Sequence, residues 1–217
     1  MRPVLAHIDT ALSLKGGVAS SDIVRSQLGL LTQGKHEFDA VENFRGSAFF
    51  KQALNIGVMP SSPTPRQCMD LRAAKLFECL PPMIETLLAS QRPDWGMSPR
   101  GWLPLDVDTF AMDNSGTVKE GVGRTCAGVD GCCALAVYLG RHGFCVALAL
   151  RPGVQRPARE TDFNLERVLP MAQRLSAGSV KTPILARFDS GFDSAALMAS
   201  IEQCNQPGLP RVDFLIK

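Results

Sequence analysis

The sequence has no hydrophobic run that approaches the roughly 20 residues of a membrane-spanning helix, and it has almost no excess of one charge. Its 217 residues include 23 Lys and Arg against 21 Asp and Glu, which gives a formal net charge of +2. We therefore expect no membrane partner and no polycation whose overall charge alone would bind nucleic acid. Any surface for DNA must be local. The hydrophobic content of 45% is that of an ordinary globular protein.

The cysteines lack the paired spacing of zinc sites and disulfide frameworks. There are seven, an odd number, and no Cys-x-x-Cys pair occurs among them. We expect reduced, mostly buried thiols in a cytoplasmic protein. The spacing disfavours a zinc site, for which the candidate ligands would be Cys126, Cys132, Cys133, His142 and Cys145.

Positive charge is concentrated in one short segment. Arg151, Arg156 and Arg159 fall within nine residues, and no Asp or Glu occurs there before Glu160. Such a segment is most often a solvated face, and contact with phosphate groups is the alternative.

Residues 1–100 have the pattern of a helical region. Ser20–Asp22 is predicted to cap the first helix, Thr64 is a natural N-cap for the third, and Pro81 with Pro82 should end that third helix. The predicted helices cover residues 23–31, 39–54, 66–80 and 83–90.

From residue 101 onward the pattern changes to strands, and Gly140–Gly143 predicts an antiparallel hairpin between two of them. A helix from Thr161 should be kinked or split at Pro170. The element order β-β-β-α-β-α-β is that of an α/β, ribonuclease H-like mixed sheet, in which right-handed crossovers lay the fourth strand beside the first. The predicted strands cover 103–110, 132–139, 144–150, 183–188 and 212–216, and a last helix ends at Cys204.

Two of these strands carry carboxylates toward the same expected edge of the sheet. Asp106 and Asp108 lie on one face of the first strand, and Asp189 follows the fourth. Carboxylate oxygens are ligands that Mg²⁺ prefers, and two ions about 3.5–4 Å apart can promote phosphoryl transfer. The alternative for Asp189 is a turn or a helix cap. Asp193 and Ser194 are available to cap the following helix, which leaves Asp189 without an expected structural role.

Eight strings also occur in an order and spacing that resemble the DDE transposases of bacterial insertion sequences, specifically the DDE group 1 type. The resemblance covers nearly the whole chain. The strings are Phe49–Leu54, Pro60–Arg66, Leu105–Thr109, Asn114–Val122, Gly128–Gly131, Tyr138–Gly140, Leu150–Gly153 and Arg187–Phe192.

The resemblance implies an enzyme that cuts at transposon ends and joins the freed 3′ hydroxyl to target DNA. It implies a catalytic domain over residues 101–217 and a helical region over 1–100 that contacts DNA or a second subunit, either a copy of this chain or a full-length transposase. Enzymes of this family hold two Mg²⁺ (or Mn²⁺) ions with two aspartates and a glutamate. The first aspartate falls on Asp108, with Asp106 as the alternative, and the second falls on Asp189.

The sequence departs from the family at the third carboxylate. The family's glutamate belongs to a helix beyond the last strand, and this sequence stops at Lys217 within that strand. We therefore expect a C-terminally truncated, inactive transposase fragment. Smaller departures are Cys132-Cys133-Ala134 and Arg156-Pro157-Ala158, which replace residues typical of the family.

Two other functions stay open at this point. The chain would be a non-enzymatic DNA-binding remnant that inhibits the full-length transposase, or a metal-free α/β binding module whose aspartates only cap and turn. The first of these predicts salt-dependent DNA binding without metal.

Overall fold

The computed structural model describes residues 5, 8, 9, 12, 17–177 and 182–217. The chain divides into two compact units, Met1–Leu87 and Leu88–Lys217. The fold is mixed α/β, with helices alone described in the first unit and a sheet with helices in the second. Within the described residues, every helix is too short or too polar to cross a membrane.

The first unit is built from helices around two apolar clusters. Its elements are α1 (Ser20–Thr32), a 3₁₀ helix (Phe38–Phe44), α2 (Ala48–Ala53) and α3 (Pro63–Gln91), which continues into the second unit. The first cluster contains the buried side chains Leu5, Ile8, Leu12 and Leu76. The second contains Leu30, Val41, Phe50 and Ile56. The prediction of one helix over 39–54 is wrong, because the chain forms two separate helices there. The second begins after Ser47, whose hydroxyl accepts a hydrogen bond from the N–H of Phe50.

Two acidic side chains accept hydrogen bonds near the start of α1. Asp9 accepts hydrogen bonds from the N–H of Ser21 at 2.8 Å and from its hydroxyl at 2.6 Å. The helix begins at Ser20, so the predicted cap at Ser20–Asp22 is wrong and Asp22 lies in the first turn. Asp22 is 5% exposed and instead accepts from the N–H groups of Gly57 and Val58. The carboxylate of Asp22 thereby joins α1 to the chain segment after α2.

Prolines do not end the helices where the sequence predicts. α3 runs without interruption through Pro81 and Pro82, although each proline removes a backbone donor. Leu76 and Met83, on either side of this pair, pack against the same apolar cluster, and that packing favours a continuous helix. The helix that begins at Thr161 likewise continues through Pro170.

The second unit contains one six-stranded sheet. Its five longer strands lie in the order β4-β3-β1-β5-β6, and the short β2 pairs with the start of β3. β1, β3 and β4 are antiparallel, whereas β5 and β6 are parallel to β1. The strands are β1 (Leu103–Asp113), β2 (Gly123–Arg124), β3 (Asp130–Leu139), β4 (Phe144–Pro152), β5 (Ile184–Phe188) and β6 (Val212–Ile216).

The predicted strands and the predicted neighbours are confirmed. Gly140–Gly143 joins β3 and β4 as an antiparallel hairpin, and β5 lies beside β1 in parallel. The sequence pattern missed β2, the last residues of β1 and β4, and the first two residues of β3. β6 lies at an edge of the sheet.

One face of the sheet is buried and the other is open. Leu105 and Val107 of β1 and Ala186 of β5 are at most 3% exposed. Two helices, α4 (Thr161–Ser176) and α5 (Ala195–Gln203), pack against each other and contact β4 and β6, respectively. On the opposite face, alternate residues are exposed, which include Asp108, Phe110, Leu148, Leu150, Arg187 and Leu215.

Replacing Asp22 by alanine tests the joint between α1 and the segment after α2. The change leaves the N–H groups of Gly57 and Val58 without their acceptor, and we expect a loss of about 1–3 kcal/mol in the free energy of unfolding. Urea unfolding followed by far-ultraviolet circular dichroism measures it. Asp22→Asn keeps one acceptor oxygen and should lose less. An unchanged midpoint in Asp22→Ala would contradict this role.

Candidate metal centre

The parallel register of β1 and β5 determines which polar side chains lie together. Leu103 pairs with Ile184, and the register continues to the pair of Asp106 and Arg187. These two residues are 81 positions apart in the chain. The same separation joins Asp108 to Asp189, and Asp189 is still in an extended conformation after β5 ends. Because side chains alternate along a strand, Asp106, Asp108 and Arg187 lie on the open face of the sheet. Asp189 follows Arg187 by two residues and is exposed.

Asp106 and Arg187 form a bidentate ion pair across the two strands. Nε of Arg187 donates to Oδ1 of Asp106 at 2.5 Å, and Nη2 donates to Oδ2 at 2.6 Å. The hydrogen bonds that Arg187 donates to the Asp106 carboxylate raise the pKa of Arg187 above its ordinary value. Both side chains are partly exposed, so the pair adds at most about 1 kcal/mol to stability. The pair matters more for the arrangement of the site, because both carboxylate oxygens of Asp106 accept hydrogen bonds from Arg187.

Asp108 and Asp189 are exposed, and each carboxylate accepts one local hydrogen bond. Oδ1 of Asp108 accepts from the N–H of Thr109 at 2.7 Å. Oδ1 of Asp189 accepts from the N–H of Gly191 at 3.0 Å and thereby caps a 3₁₀ turn over Ser190–Phe192. The expectation that Asp189 lacks a structural role is therefore wrong. Within the described part of the chain, neither aspartate forms an ion pair and the Oδ2 atom of each accepts no hydrogen bond.

The donor set fits a hard divalent cation. One carboxylate on β1 and one directly after β5, each with one oxygen unoccupied by the described residues, match the ligand preference of Mg²⁺ or Mn²⁺. Among the described residues there is no group of three His, Cys, Asp or Glu side chains that could hold a metal ion. Asp108 and Asp189 therefore provide at most part of a coordination sphere, and water or phosphate oxygens would complete it.

The cysteines take no part in such a group. All seven are free thiols, as predicted. Only Cys68, Cys132 and Cys133 are fully buried, so the expectation of mostly buried thiols is wrong. Cys126 and Cys145 are exposed, and the proposed zinc ligands form no group of three within the described residues.

The turn that carries Asp189 packs closely against the loop between β4 and α4. A Cβ atom added to Gly191 would lie 3.0 Å from Cγ of Pro157 and 3.2 Å from Oδ1 of Asp189. Gly191 does not have a positive φ, so this position requires glycine for space and not for backbone conformation. Pro157 and the turn thus restrict the position of the Asp189 carboxylate.

The three clustered arginines differ in their surroundings. Arg151 is only 5% exposed, and its Nη1 donates to the carbonyl oxygens of Pro157 and Arg159, both at 3.1 Å. Arg151 is therefore a structural residue of the loop. Arg156 and Arg159 are exposed, and the guanidinium of Arg159 lies 3.5 Å from the carboxylate of Glu160.

Sequence reasoning missed Arg187 as the partner of Asp106, and it missed the contact between Pro157 and Gly191. The equal separation of 81 residues was a usable signal for the ion pair, because parallel strands that are in register pair residues at a constant separation. Nothing in the sequence indicated the contact between Pro157 and Gly191, since it depends on the path of an irregular loop.

Replacing Gly191 by alanine tests this close packing. The added methyl group must displace Pro157 or the Asp189 carboxylate, and we expect a loss of about 1 kcal/mol in the free energy of unfolding by urea. Gly46→Ala is the matched control, because a Cβ atom there meets nothing within 4 Å and Gly46 has no positive φ. Equal stability of the two variants would show that the turn does not press on Pro157.

No family model matches this chain, and a search of curated proteins finds no match to it. The chain is weakly similar to the piggyBac transposase in a synaptic complex with hairpin DNA, with 13% identity, a TM-score of 0.33, and coverage of 98% of this chain and 46% of that one. It is also weakly similar to the Mos1 strand transfer complex, with 11% identity, a TM-score of 0.28, and coverage of 92% and 60%. This chain thus spans about half the length of the first and 60% of the second. At these scores neither similarity establishes a fold family or a function.

Proposed function

We propose that the second unit is part of a ribonuclease H-like catalytic domain of the DDE transposase type, in which Asp108 and Asp189 bind Mg²⁺ or Mn²⁺ beside a DNA phosphodiester. Three antiparallel strands followed by two parallel strands, each reached through a helix, support this assignment of the sheet. The eight sequence strings that resemble bacterial insertion-sequence transposases support the same family.

One observation carries the proposal. The parallel register of β1 and β5 ends at the pair of Asp106 and Arg187, and Asp108 and Asp189 each follow two residues later in the chain. At that last pair the strands are about 4.8 Å apart, so we infer that the two aspartates are close enough for one or two bridging cations. Both carboxylates are exposed and keep one oxygen unoccupied by the described residues.

The ion pair favours Asp108 over Asp106 as the first ligand. Both oxygens of Asp106 are engaged by Arg187, so a metal bound at Asp106 would have to displace a bidentate contact. Asp106 and Arg187 instead hold β1 and β5 in register and so position the two ligands.

The chemistry of such a site is phosphoryl transfer. When bound, a pair of Mg²⁺ ions activates an attacking water or hydroxyl group and neutralises the leaving oxygen of the phosphodiester. Asp108 and Asp189 hold the cations, and the turn over Ser190–Phe192 with Pro157 orients the second of these carboxylates. The described residues supply two carboxylates where the family uses three, so we infer negligible strand transfer by this chain.

A second candidate function follows from the same shortage of ligands. A chain that binds DNA without cutting it would act as a DNA-binding remnant or as an inhibitor of a full-length transposase. The observation that favours this function is the lack of a third metal-binding side chain in the described residues. For this function we propose that the helical first unit contacts DNA or a second subunit. That subunit would be a copy of this chain or a full-length transposase.

Mn²⁺ binding tests the site directly, with free Mn²⁺ measured by electron paramagnetic resonance. We expect Asp108→Ala and Asp189→Ala each to weaken binding at least about tenfold, because either change removes one of two carboxylate ligands. Asp213→Asn is the matched control, since Asp213 lies on β6 opposite Leu185 and pairs with Arg211. Equal affinity in wild type and Asp108→Ala would refute the site, and selective loss in Asp106→Asn would assign Asp106 as the ligand.

DNA cleavage tests the role of Asp189. We expect the chain to show at most weak Mg²⁺- or Mn²⁺-dependent nicking of supercoiled DNA, because the described residues provide only part of the cation site. Asp189→Ala should abolish any such nicking. Robust cleavage that persists in Asp189→Ala would contradict the assignment of Asp189.

A further inference from the structure

The loop between β4 and α4, residues 153–160, follows the end of β4 at the same edge of the sheet as Asp189. β4 is parallel to β1 and β5 because two antiparallel pairings separate it from β1. The last residues of β4 therefore lie at the edge where β5 ends and Asp189 follows. Pro157 lies against Gly191, two residues after Asp189.

Hydrogen bonds from the buried side chain of Arg151 stabilise the conformation of this loop. In addition to its two bonds to carbonyl oxygens, its Nη1 donates to the hydroxyl of Thr161 at 3.3 Å. That hydroxyl itself donates to the carbonyl oxygen of Pro157 at 2.6 Å. The loop thus has a defined conformation before any ligand binds, which lowers the entropic cost of binding.

The loop carries positive charge that the protein does not fully neutralise. The Nε and Nη2 atoms of Arg151 are buried and have no hydrogen-bond partner, and no carboxylate pairs with Arg151 among the described residues. Arg156 is exposed and forms no ion pair in the same part of the chain, and Arg159 has only a long contact to Glu160. A buried guanidinium without a carboxylate partner, next to a loop with two exposed guanidinium groups, favours an anion on the loop.

We propose that Arg156 and Arg159 form a binding site for the phosphate backbone of DNA, placed beside the carboxylates so that it holds the strand at the metal centre. The inference rests on the proposed function and adds to it the residues that bind the DNA backbone. Arg156 and Arg159 flank Pro157, which contacts the turn that carries Asp189. A duplex bound to these guanidinium groups therefore passes along the edge where Asp108 and Asp189 lie.

The salt dependence of DNA binding tests this site. The full-length chain is titrated against a short fluorescein-labelled duplex in EDTA, and anisotropy is measured between about 50 and 200 mM KCl. Each lost phosphate contact should reduce the slope of log K against log[salt] by about 0.9, so Arg156→Gln with Arg159→Gln should reduce it by about 1.8. This decrease is expected even if the first unit also binds DNA, because contacts contribute separately to the slope.

Three variants serve as controls. Arg141→Gln removes an exposed arginine from the hairpin at the opposite edge of the sheet and should leave the slope unchanged. Arg156→Lys keeps the charge and should retain most of the slope. An unchanged urea midpoint in the double variant shows that both guanidinium groups are dispensable for folding, as their exposure predicts.

The outcomes separate this inference from the proposed metal site. Equal slopes in wild type and the double variant overturn the phosphate site, while Mn²⁺ binding by Asp108 and Asp189, measured separately, still stands. A reduced slope supports the phosphate site whatever the result with Mn²⁺. A wild-type chain that binds no duplex at about 50 mM KCl overturns both this inference and DNA as the partner.

Discussion

The register of two parallel strands is the constraint on which the second unit depends. Leu105 and Ala186 are opposite each other and fully buried, and a slip of one residue would turn these side chains to the open face. The ion pair between Asp106 and Arg187 matches this same register on the open face. Burial on one face and charge pairing on the other thus specify one alignment, whose last pair lies two residues before Asp108 and Asp189.

Two connecting segments, the loop after β4 and the turn after β5, lie at the edge of the sheet that carries these aspartates. Because β4, β1 and β5 point the same way, the loop after β4 and the turn after β5 meet at one edge. Pro157 packs closely against Gly191, and Arg151 stabilises the loop by a hydrogen bond to the carbonyl oxygen of Pro157. The turn that carries Asp189 and the loop that carries the exposed arginines therefore meet at one rim of the sheet.

Two of the wrong predictions share a physical cause. Pro81 and Pro82 oppose a helix locally, yet α3 continues because Leu76 and Met83, on either side of them, are packed. Asp22 was predicted as a cap and instead binds N–H groups 35 and 36 residues away. Local propensity amounts to a few kcal/mol at most, and burial of neighbouring side chains outweighs it.

The sequence by itself determined the five longer strands, their order and the aspartates within the first and directly after the fourth of them, because alternation of apolar residues and right-handed crossovers are local or general rules. It left open whether Asp106 or Asp108 is a ligand and treated three arginines alike. Only the tertiary structure decided that Asp106 is paired with Arg187 and that Arg151 is buried beneath its loop. These are contacts between residues distant in the chain or within an irregular loop, and no periodic pattern in the sequence encodes them.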